Sequence, residues 1–196
     1  MKACIKYFFV NFLLVELITT NVSFGQQPVI GFKVGFAFSN ATINQTDIYS
    51  PQKSLTRTGA LFGVYLDVPS GNQFIFRPGV ELVSKGFRRK FDPYGVEPIR
   101  FTYVDFPINI LYRKKGKKGH LLAGGGPVLD IPIRDYYTTY SLKPEFGVNG
   151  LIGYELAIGF SLNLNYNYGL SNASKDKQYV TKISNHYLGV TLGYSF

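Results

Sequence analysis

Bulky residues alternate with small or polar ones along most of this chain. The clearest run is FSLNLNYNYGL at residues 160–170, where Phe, Leu and Tyr take one set of alternate positions and Ser, Asn and Gly the other. The same alternation recurs in GFKVGFAFS at 31–39 and in LGVTLGYSF at 188–196. Side chains that repeat every two residues share one face of a β-strand, so the chain is predicted to be built from strands.

The pattern predicts eight strands whose connections alternate in length. The predicted strands cover residues 30–40, 57–68, 73–86, 100–113, 120–132, 145–156, 159–171 and 184–196. Long connections at 44–55, 88–98, 134–144 and 172–181 take turns with short ones at 69–72, 114–119 and near 157. This alternation is typical of outer-membrane barrels, which have short periplasmic turns and longer outer loops. The predicted fold class is all-β: an eight-stranded antiparallel up-and-down transmembrane β-barrel.

Three prolines fall inside the predicted strands. Pro78, Pro107 and Pro127 each remove one hydrogen-bond donor from the ladder, and prolines within sheets are confined to edges, strand starts and bulges. We therefore expect β-bulges at these positions, with a shift of the inward and outward pattern after each.

Each predicted strand has one face without charged residues. Its bulky members include Phe32, Phe62, Val64, Leu66, Phe74, Phe76, Val80, Leu82, Val104, Phe106, Ile108, Ile110, Leu129, Ile131, Phe146, Val148, Ile152 and Leu156. Such a face suits hydrocarbon, because a cation at the bilayer midplane costs a barrel about 2–4 kcal/mol. A soluble barrel or sandwich would turn the same face inward. The charged fraction of only 17% and the aromatic residues near the strand ends favour the membrane interpretation.

The opposite faces carry charges of both signs. An eight-stranded barrel is only just wide enough for its own side chains, and unpaired buried charges are costly. We therefore predict that the inward charges pair across strands instead of lining a channel, with Arg77 and Glu81 bridging to neighbouring strands. The predicted barrel-interior charge network comprises Lys33, Asp67, Arg77, Glu81, Asp105 and Asp130, with Lys85 and Glu155 on the same faces.

The N-terminal segment has the composition of a secretory signal. Two lysines precede an apolar run at 7–14 that is too short to span a bilayer as a helix. Ser23 and Gly25 are small residues at the positions that a signal peptidase inspects. We predict a signal peptide at residues 1–25 and a barrel domain at residues 26–196.

The net charge of +9 at pH 7 bears on the partners of an exported protein. Nucleic acid is not expected as a partner, whereas outer-membrane lipid, lipopolysaccharide and anionic glycans suit a basic surface. The most basic stretch, residues 114–119, is interpreted as a solvated turn, with contact to an anionic periplasmic partner as the alternative.

No metal, cofactor or catalytic site is predicted. His120 and His186 are too few and too far apart in sequence for a metal site, and the glycine run at 124–126 has no Gly-Lys-Ser/Thr after it. Ser184, His186, Asp135 and Asp176 have the residue types of a hydrolase, but no spacing requires them to assemble. The protein is predicted not to be an enzyme.

Six segments together resemble a known barrel family. They are GFKVGFAFSNAT, FIFRPGVELVSKGF, YVDFPINILYR, LLAGGGPVLDI, GLIGYELAIGFSLNLNYNYGLSN and HYLGVTLGYSF. In their order and spacing the chain resembles the PorT-like outer-membrane β-barrel family and, more loosely, the small OmpX and OmpA barrels. The resemblance covers nearly all of the chain after residue 25. It implies a bacterial outer-membrane protein, and Phe196 resembles the C-terminal aromatic residue that such barrels present to the assembly machinery.

Three functional hypotheses follow from these patterns. The first is a non-enzymatic outer-membrane barrel whose outer loops serve binding or adhesion, or that has a structural or secretion-associated role in the envelope with a protein or glycan partner. The second is a pore for small solutes. The third is a lipid-modifying enzyme with its site at the rim.

Overall fold

The computed structural model describes residues 27–45, 54–91, 95–135, 142–173 and 180–196. These residues form eight antiparallel strands, each paired with its neighbours in sequence, and the last strand pairs with the first to close a barrel. No helix within these ranges is long and apolar enough to cross a membrane. The strands are β1 (Val29–Gln45), β2 (Ser54–Ser70), β3 (Phe74–Phe91), β4 (Gly95–Lys115), β5 (Gly119–Asp135), β6 (Glu145–Leu156), β7 (Phe160–Gly169) and β8 (Val180–Ser195).

The predicted all-β, eight-stranded up-and-down architecture is confirmed. At the end with the long connections, β1 to β5 and β8 extend further than predicted, β6 begins as predicted, and β7 ends two residues earlier than predicted. Three short turns join β2 to β3, β4 to β5 and β6 to β7. The predicted signal peptide lies outside the described residues, as do most residues of three of the four predicted long loops.

The predicted long loop at residues 88–98 is wrong. Strand β3 continues to Phe91 and β4 begins at Gly95, and these two residues form the last pair of the hairpin. The sequence there looks like a loop because it combines charges with prolines and glycine. Phe87 and Ile99 nevertheless pair across the hairpin and are buried at the outer end of the lumen. Burial of these two side chains outweighs the weak local strand propensity.

The bulges predicted at the three prolines are also wrong. Pro78 pairs with Ile108, Pro107 with Val128 and Pro127 with Val148, without a register shift at any of them. A proline removes a donor but adds no residue, so the alternation continues through it. The observed register shifts lie nearer the outer ends of the strands. They fall between residues 44 and 45 of β1, between residues 56 and 61 of β2, and between residues 102 and 103 of β4.

The outer surface of the barrel is a band of exposed apolar side chains. Phe62, Phe76, Ile110 and Phe146 are examples of large hydrophobic residues that point away from the lumen. At the end with the short turns, aromatic rings contact one another. Phe32 lies 6.1 Å from Tyr194, and Phe74 lies 5.7 Å from Tyr112, between ring centroids. Aromatic girdles of this kind flank the apolar band of outer-membrane barrels.

Candidate functional site

The lumen holds every Asp and Glu whose side chain is described. These residues are Asp67, Glu81, Asp105, Asp130, Glu145 and Glu155. They come from β2 to β6 and sit at alternate positions whose neighbours face outward. Because side chains alternate between the two faces of a strand, all six carboxyl groups lie in the lumen, together with Lys33, Arg77 and Lys85.

Near the short-turn end, Arg77 makes a two-pronged ion pair with Asp67 of the adjacent strand. Its Nε lies 2.5 Å from Asp67 Oδ1, and its Nη2 donates to Oδ2 at 2.6 Å. The Tyr65 ring covers the guanidinium at 4.3 Å, and Glu155 is a more distant partner at 3.9 Å. Two parallel hydrogen bonds fix the orientation of the arginine as well as its position.

At mid-height, Lys33 of β1 forms an ion pair with Glu81 of β3 at 2.6 Å. These strands are not neighbours, and Gly63 of the intervening β2 pairs with both residues. A Cβ atom at Gly63 would lie 3.0 Å from Glu81 Cγ and 3.3 Å from Lys33 Cε. The absence of a side chain on β2 gives the two long side chains room to meet.

Closer to the outer end, Lys85 lies between two carboxylates. Its Nζ is 2.6 Å from Asp130 Oδ2 and 2.9 Å from Asp105 Oδ2. The rings of Tyr103 and Tyr187 flank the ammonium at 4.7 and 5.0 Å. All five residues are at most 2% exposed. One cation therefore holds together β3, β4 and β5 inside the barrel, and the Tyr187 ring encloses it from β8.

An apolar cluster covers these charges at the outer end of the lumen. Just inside it, Glu145 accepts hydrogen bonds from the backbone and side chain of Asn185 at 3.2 and 3.0 Å. Sequence reasoning missed Glu145, because it begins a strand directly after a segment predicted to be loop. The cluster comprises Ala41, Phe87, Ile99, Phe101, Tyr103, Leu142 and Ala173. The described lumen is thus occupied by paired charges and packed side chains along its length.

The candidate catalytic residues at the rim are not joined by a described hydrogen bond. Ser184 donates its hydroxyl to the carbonyl of Gly169, and the His186 ring lies 6.3 Å from the Tyr168 ring. The side chain of Asp135 and the whole of Asp176 lie outside the described part of the chain. Within that part, no group of three or more His, Cys, Asp or Glu residues could hold a metal ion.

The predicted assembly signal lies on the outer surface. Phe196 is 75% exposed, and its backbone N–H donates to the carbonyl of Ile30 at 3.0 Å. Its ring packs 5.2 Å from Tyr194. The C-terminal aromatic side chain is therefore accessible from the membrane side of the β8–β1 seam.

Sequence reasoning also missed a row of arginines at the outer end. Arg57, Arg88, Arg100 and Arg134 lie on the consecutive strands β2, β3, β4 and β5. The available signal was the alternation itself, because Arg100 shares its parity with the outward-facing Phe106 and Ile108.

Comparison with known proteins agrees with this architecture. Residues 24–175 match the sequence model of a family described as outer membrane protein beta-barrel domain. No curated protein matches the chain. Neisserial surface protein A aligns at a TM-score of 0.53 and 12% identity, covering 87% of this chain and 100% of its own. The outer membrane protein OprG from Pseudomonas aeruginosa aligns at a TM-score of 0.51 and 14% identity, covering 87% and 97%.

The family match spans well over half of the sequence, and the solved structures share the barrel fold. Together with the exposed apolar band, these findings confirm the predicted transmembrane barrel and its location. The chain belongs to the outer membrane protein beta-barrel domain family and is a transmembrane barrel of the bacterial outer membrane.

Proposed function

We propose that this protein is a non-enzymatic, non-conducting barrel whose outer end serves as a binding platform in the envelope. The observation that carries the proposal is the filled lumen. Lys85 and its two carboxylates cross the interior, and the apolar cluster covers them. An eight-stranded barrel with such contents leaves no room for a solute path.

The shape of the outer end supports a binding role. Strand β4 has 21 residues and β3 has 18, whereas β6 has 12 and β7 has 10. The described ends of β3 and β4 therefore extend further outward than β6 and β7, and Arg88 and Arg100 are exposed basic residues on them. Binding residues held on strands are positioned more accurately than residues on loops. A surface glycan or another envelope protein is the partner that we propose for this hairpin.

Two finer assignments belong to the same proposal. Membership of the PorT-like group, some of whose members are linked to protein secretion, would fit a plugged barrel that acts through contacts rather than transport. Recognition of Phe196 by the assembly machinery fits its exposed position at the barrel seam.

Single-channel recording in a planar bilayer tests the closed lumen. We expect no steady conductance from the full-length folded protein, with a known porin in the same bilayer as the positive control. Reproducible conductance steps that scale with the number of inserted barrels would support the pore hypothesis and contradict ours.

A shortened hairpin tests the binding platform. Arg89 of β3 and Glu97 of β4 lie opposite each other in the strand register. Replacing residues 90–96 with Asn-Gly therefore closes the hairpin with a two-residue turn and keeps that register. We expect the shortened barrel to keep its heat-resistant mobility on gels but to lose crosslinks to cell-surface partners. Unchanged crosslinking would contradict a binding role for the β3–β4 hairpin.

A further inference from the structure

Four exposed lysines lie at the tip of the β4–β5 hairpin, at the short-turn end of the barrel. They are Lys114, Lys115, Lys117 and Lys118. Among the described residues, the acidic side chains of this end are Asp67 and Glu155, and both lie in the lumen around Arg77. The tip therefore presents positive charge to the outside, and no described carboxylate on the barrel surface neutralises it.

The lysine turn, residues 114–118, is attached to the neighbouring turn between β6 and β7. The backbone N–H of Ala157 donates to the carbonyl of Lys118 at 3.2 Å. A Cβ atom on Gly116 would lie 3.9 Å from the hydroxyl oxygen of Tyr154, so the phenol of this β6 residue reaches the lysine turn. The position of the β6–β7 turn in the membrane therefore fixes that of the lysines.

The β6–β7 turn carries apolar side chains on the barrel surface. Leu156, Ile158 and Phe160 are all exposed, Ile158 at the tip to 68%. Exposed apolar side chains are covered by hydrocarbon in a transmembrane barrel, and the short turns of such barrels face the periplasm. The lysines attached to this turn therefore lie at the level of the headgroups of the inner leaflet.

An apolar groove on the membrane side begins beside the same two turns. It has a volume of about 420 Å³ and runs across β6, β7, β8 and β1. Tyr154 and Leu156 form its end next to the lysine turn. Its further lining includes Phe160, Leu162, Leu192 and Val34. The groove therefore suits a hydrocarbon chain and not a polar ligand.

Strand register brings the ammonium groups to this end of the groove. Lys114 shares its outward parity with Tyr112 and pairs with Leu121 of β5, which in turn pairs with Tyr154 of β6. Adjacent strands are about 4.8 Å apart, so the backbone of Lys114 lies about 10 Å from that of Tyr154. The carbonyl of Lys118 bonds directly to the β6–β7 turn. Lysine stems can follow an apolar surface while the charge stays among polar groups, so the positive site and the groove are contiguous.

We propose that Lys114 and Lys118 bind the phosphate of an anionic phospholipid of the inner leaflet, with one acyl chain in the groove. Two ammonium groups attract a lipid of net negative charge, whereas a zwitterionic headgroup brings a cation of its own. An acidic polypeptide would contact the lysines but not the groove, which lies at the depth of the hydrocarbon. This proposal goes beyond the binding platform at the outer end and rests on the outer-membrane location, with the short turns on the periplasmic side.

Native mass spectrometry of the detergent-solubilised barrel with phosphatidylglycerol tests the charged part of the site. We expect Lys114→Gln with Lys118→Gln to weaken binding about tenfold or more, because two attractions to one phosphate are lost. Arg88→Gln with Arg100→Gln removes the same charge at the outer end and should leave binding unchanged. Phosphatidylcholine with the same acyl chains should bind the natural barrel as weakly as phosphatidylglycerol binds the lysine variant. Heat-modified gel mobility verifies that each variant is folded, and equal losses in the two variants would overturn the proposal.

A substitution that fills the groove tests the apolar part of the site. Leu192 lines the groove, whereas Ile110 of β4 lies outside it, and the two side chains are 63% and 61% exposed. We expect Leu192→Trp to weaken phosphatidylglycerol binding several-fold without any change of charge, and Ile110→Trp to leave binding unchanged. Unchanged binding by Leu192→Trp would overturn the proposal, because the lysines would then form a simple anion site.

A competing acidic peptide distinguishes a lipid from a polypeptide partner. We expect a soluble peptide of consecutive glutamates not to displace phosphatidylglycerol from the natural barrel, because the peptide gains nothing from the groove. Displacement at micromolar peptide would overturn the proposal in favour of an acidic protein partner. Equal phosphatidylglycerol binding by the natural and lysine-variant barrels would overturn it as well.

Discussion

The two faces of each strand carry different residue types, apolar on the outward face and polar on the face in the lumen. Outward positions such as Ile108 and Ile110 are 45% and 61% exposed, although they are strongly apolar. The intervening Asn109 is 2% exposed. Its side-chain oxygen accepts a hydrogen bond inside the lumen from the side-chain amide of Asn149 at 3.1 Å. A soluble protein distributes these residue types in the opposite way. The difference shows that contact with hydrocarbon, and not burial alone, decides which side of this strand each residue takes.

Removing the central cation of the lumen should have the largest effect. Lys85→Met leaves Asp105 and Asp130 side by side without their shared partner, and breaking a buried pair costs about 3–5 kcal/mol. We expect that loss in the free energy of unfolding, measured by urea unfolding in lipid vesicles with circular dichroism. Lys117→Met in the exposed turn is the control and should change stability by less than about 0.5 kcal/mol. Equal values for the two variants would mean that the lumen charges are solvated.

A cation placed on the membrane side should have the next largest effect. Ile108→Arg puts a charge near mid-height of the apolar band and should cost about 2–4 kcal/mol of unfolding free energy. Thr102→Arg is on the same strand and face but near the outer boundary, where about 0–1 kcal/mol is expected. The same vesicle measurement gives both values. If the two substitutions cost the same, the outward face does not follow the depth profile of a bilayer.

Loss of one carboxylate at mid-height should have a smaller effect. Glu81→Ala leaves Lys33 buried without its partner, and charged hydrogen bonds contribute about 1.5–3 kcal/mol. Thermal stability of the folded barrel, followed by the shift from fast to slow gel mobility, should fall accordingly. Unchanged thermal stability would show that Lys33 and Glu81 do not form a stabilising pair.

The smallest effect on the free energy of unfolding is expected from a substitution at the short-turn end of the lumen. Glu155 is 16% exposed and 3.9 Å from Arg77, which keeps Asp67 as its main partner. We expect Glu155→Gln to change the free energy of unfolding by about 0–1 kcal/mol. A loss as large as that of Lys85→Met would show that Arg77 depends on Glu155 more than its distance indicates.

Alternation alone predicted most of the fold, because the period of two fixes both the strands and their faces. It identified the inward positions of Lys33 and Glu81, but not that they would meet, because their contact depends on a glycine of the strand between them. It missed the continuous β3–β4 hairpin, whose stability comes from burial of Phe87 and Ile99 in a cluster contributed by distant segments. The parity of Arg100 indicated an outward position, but only the register shows that four separated arginines lie at the outer ends of neighbouring strands.

Contact between hydrocarbon and the outward side chains underlies the whole arrangement of this barrel. Spin labels test it directly, because Cys4 is the only cysteine and Cys4→Ser leaves a background for single labels. We would label Arg100→Cys, Val104→Cys, Ile108→Cys and Tyr112→Cys of the barrel in vesicles and measure collisions with oxygen and with a water-soluble nickel complex. We expect oxygen access to peak at residue 108 and nickel access to rise towards residues 100 and 112. Equally high nickel access at all four positions would contradict it.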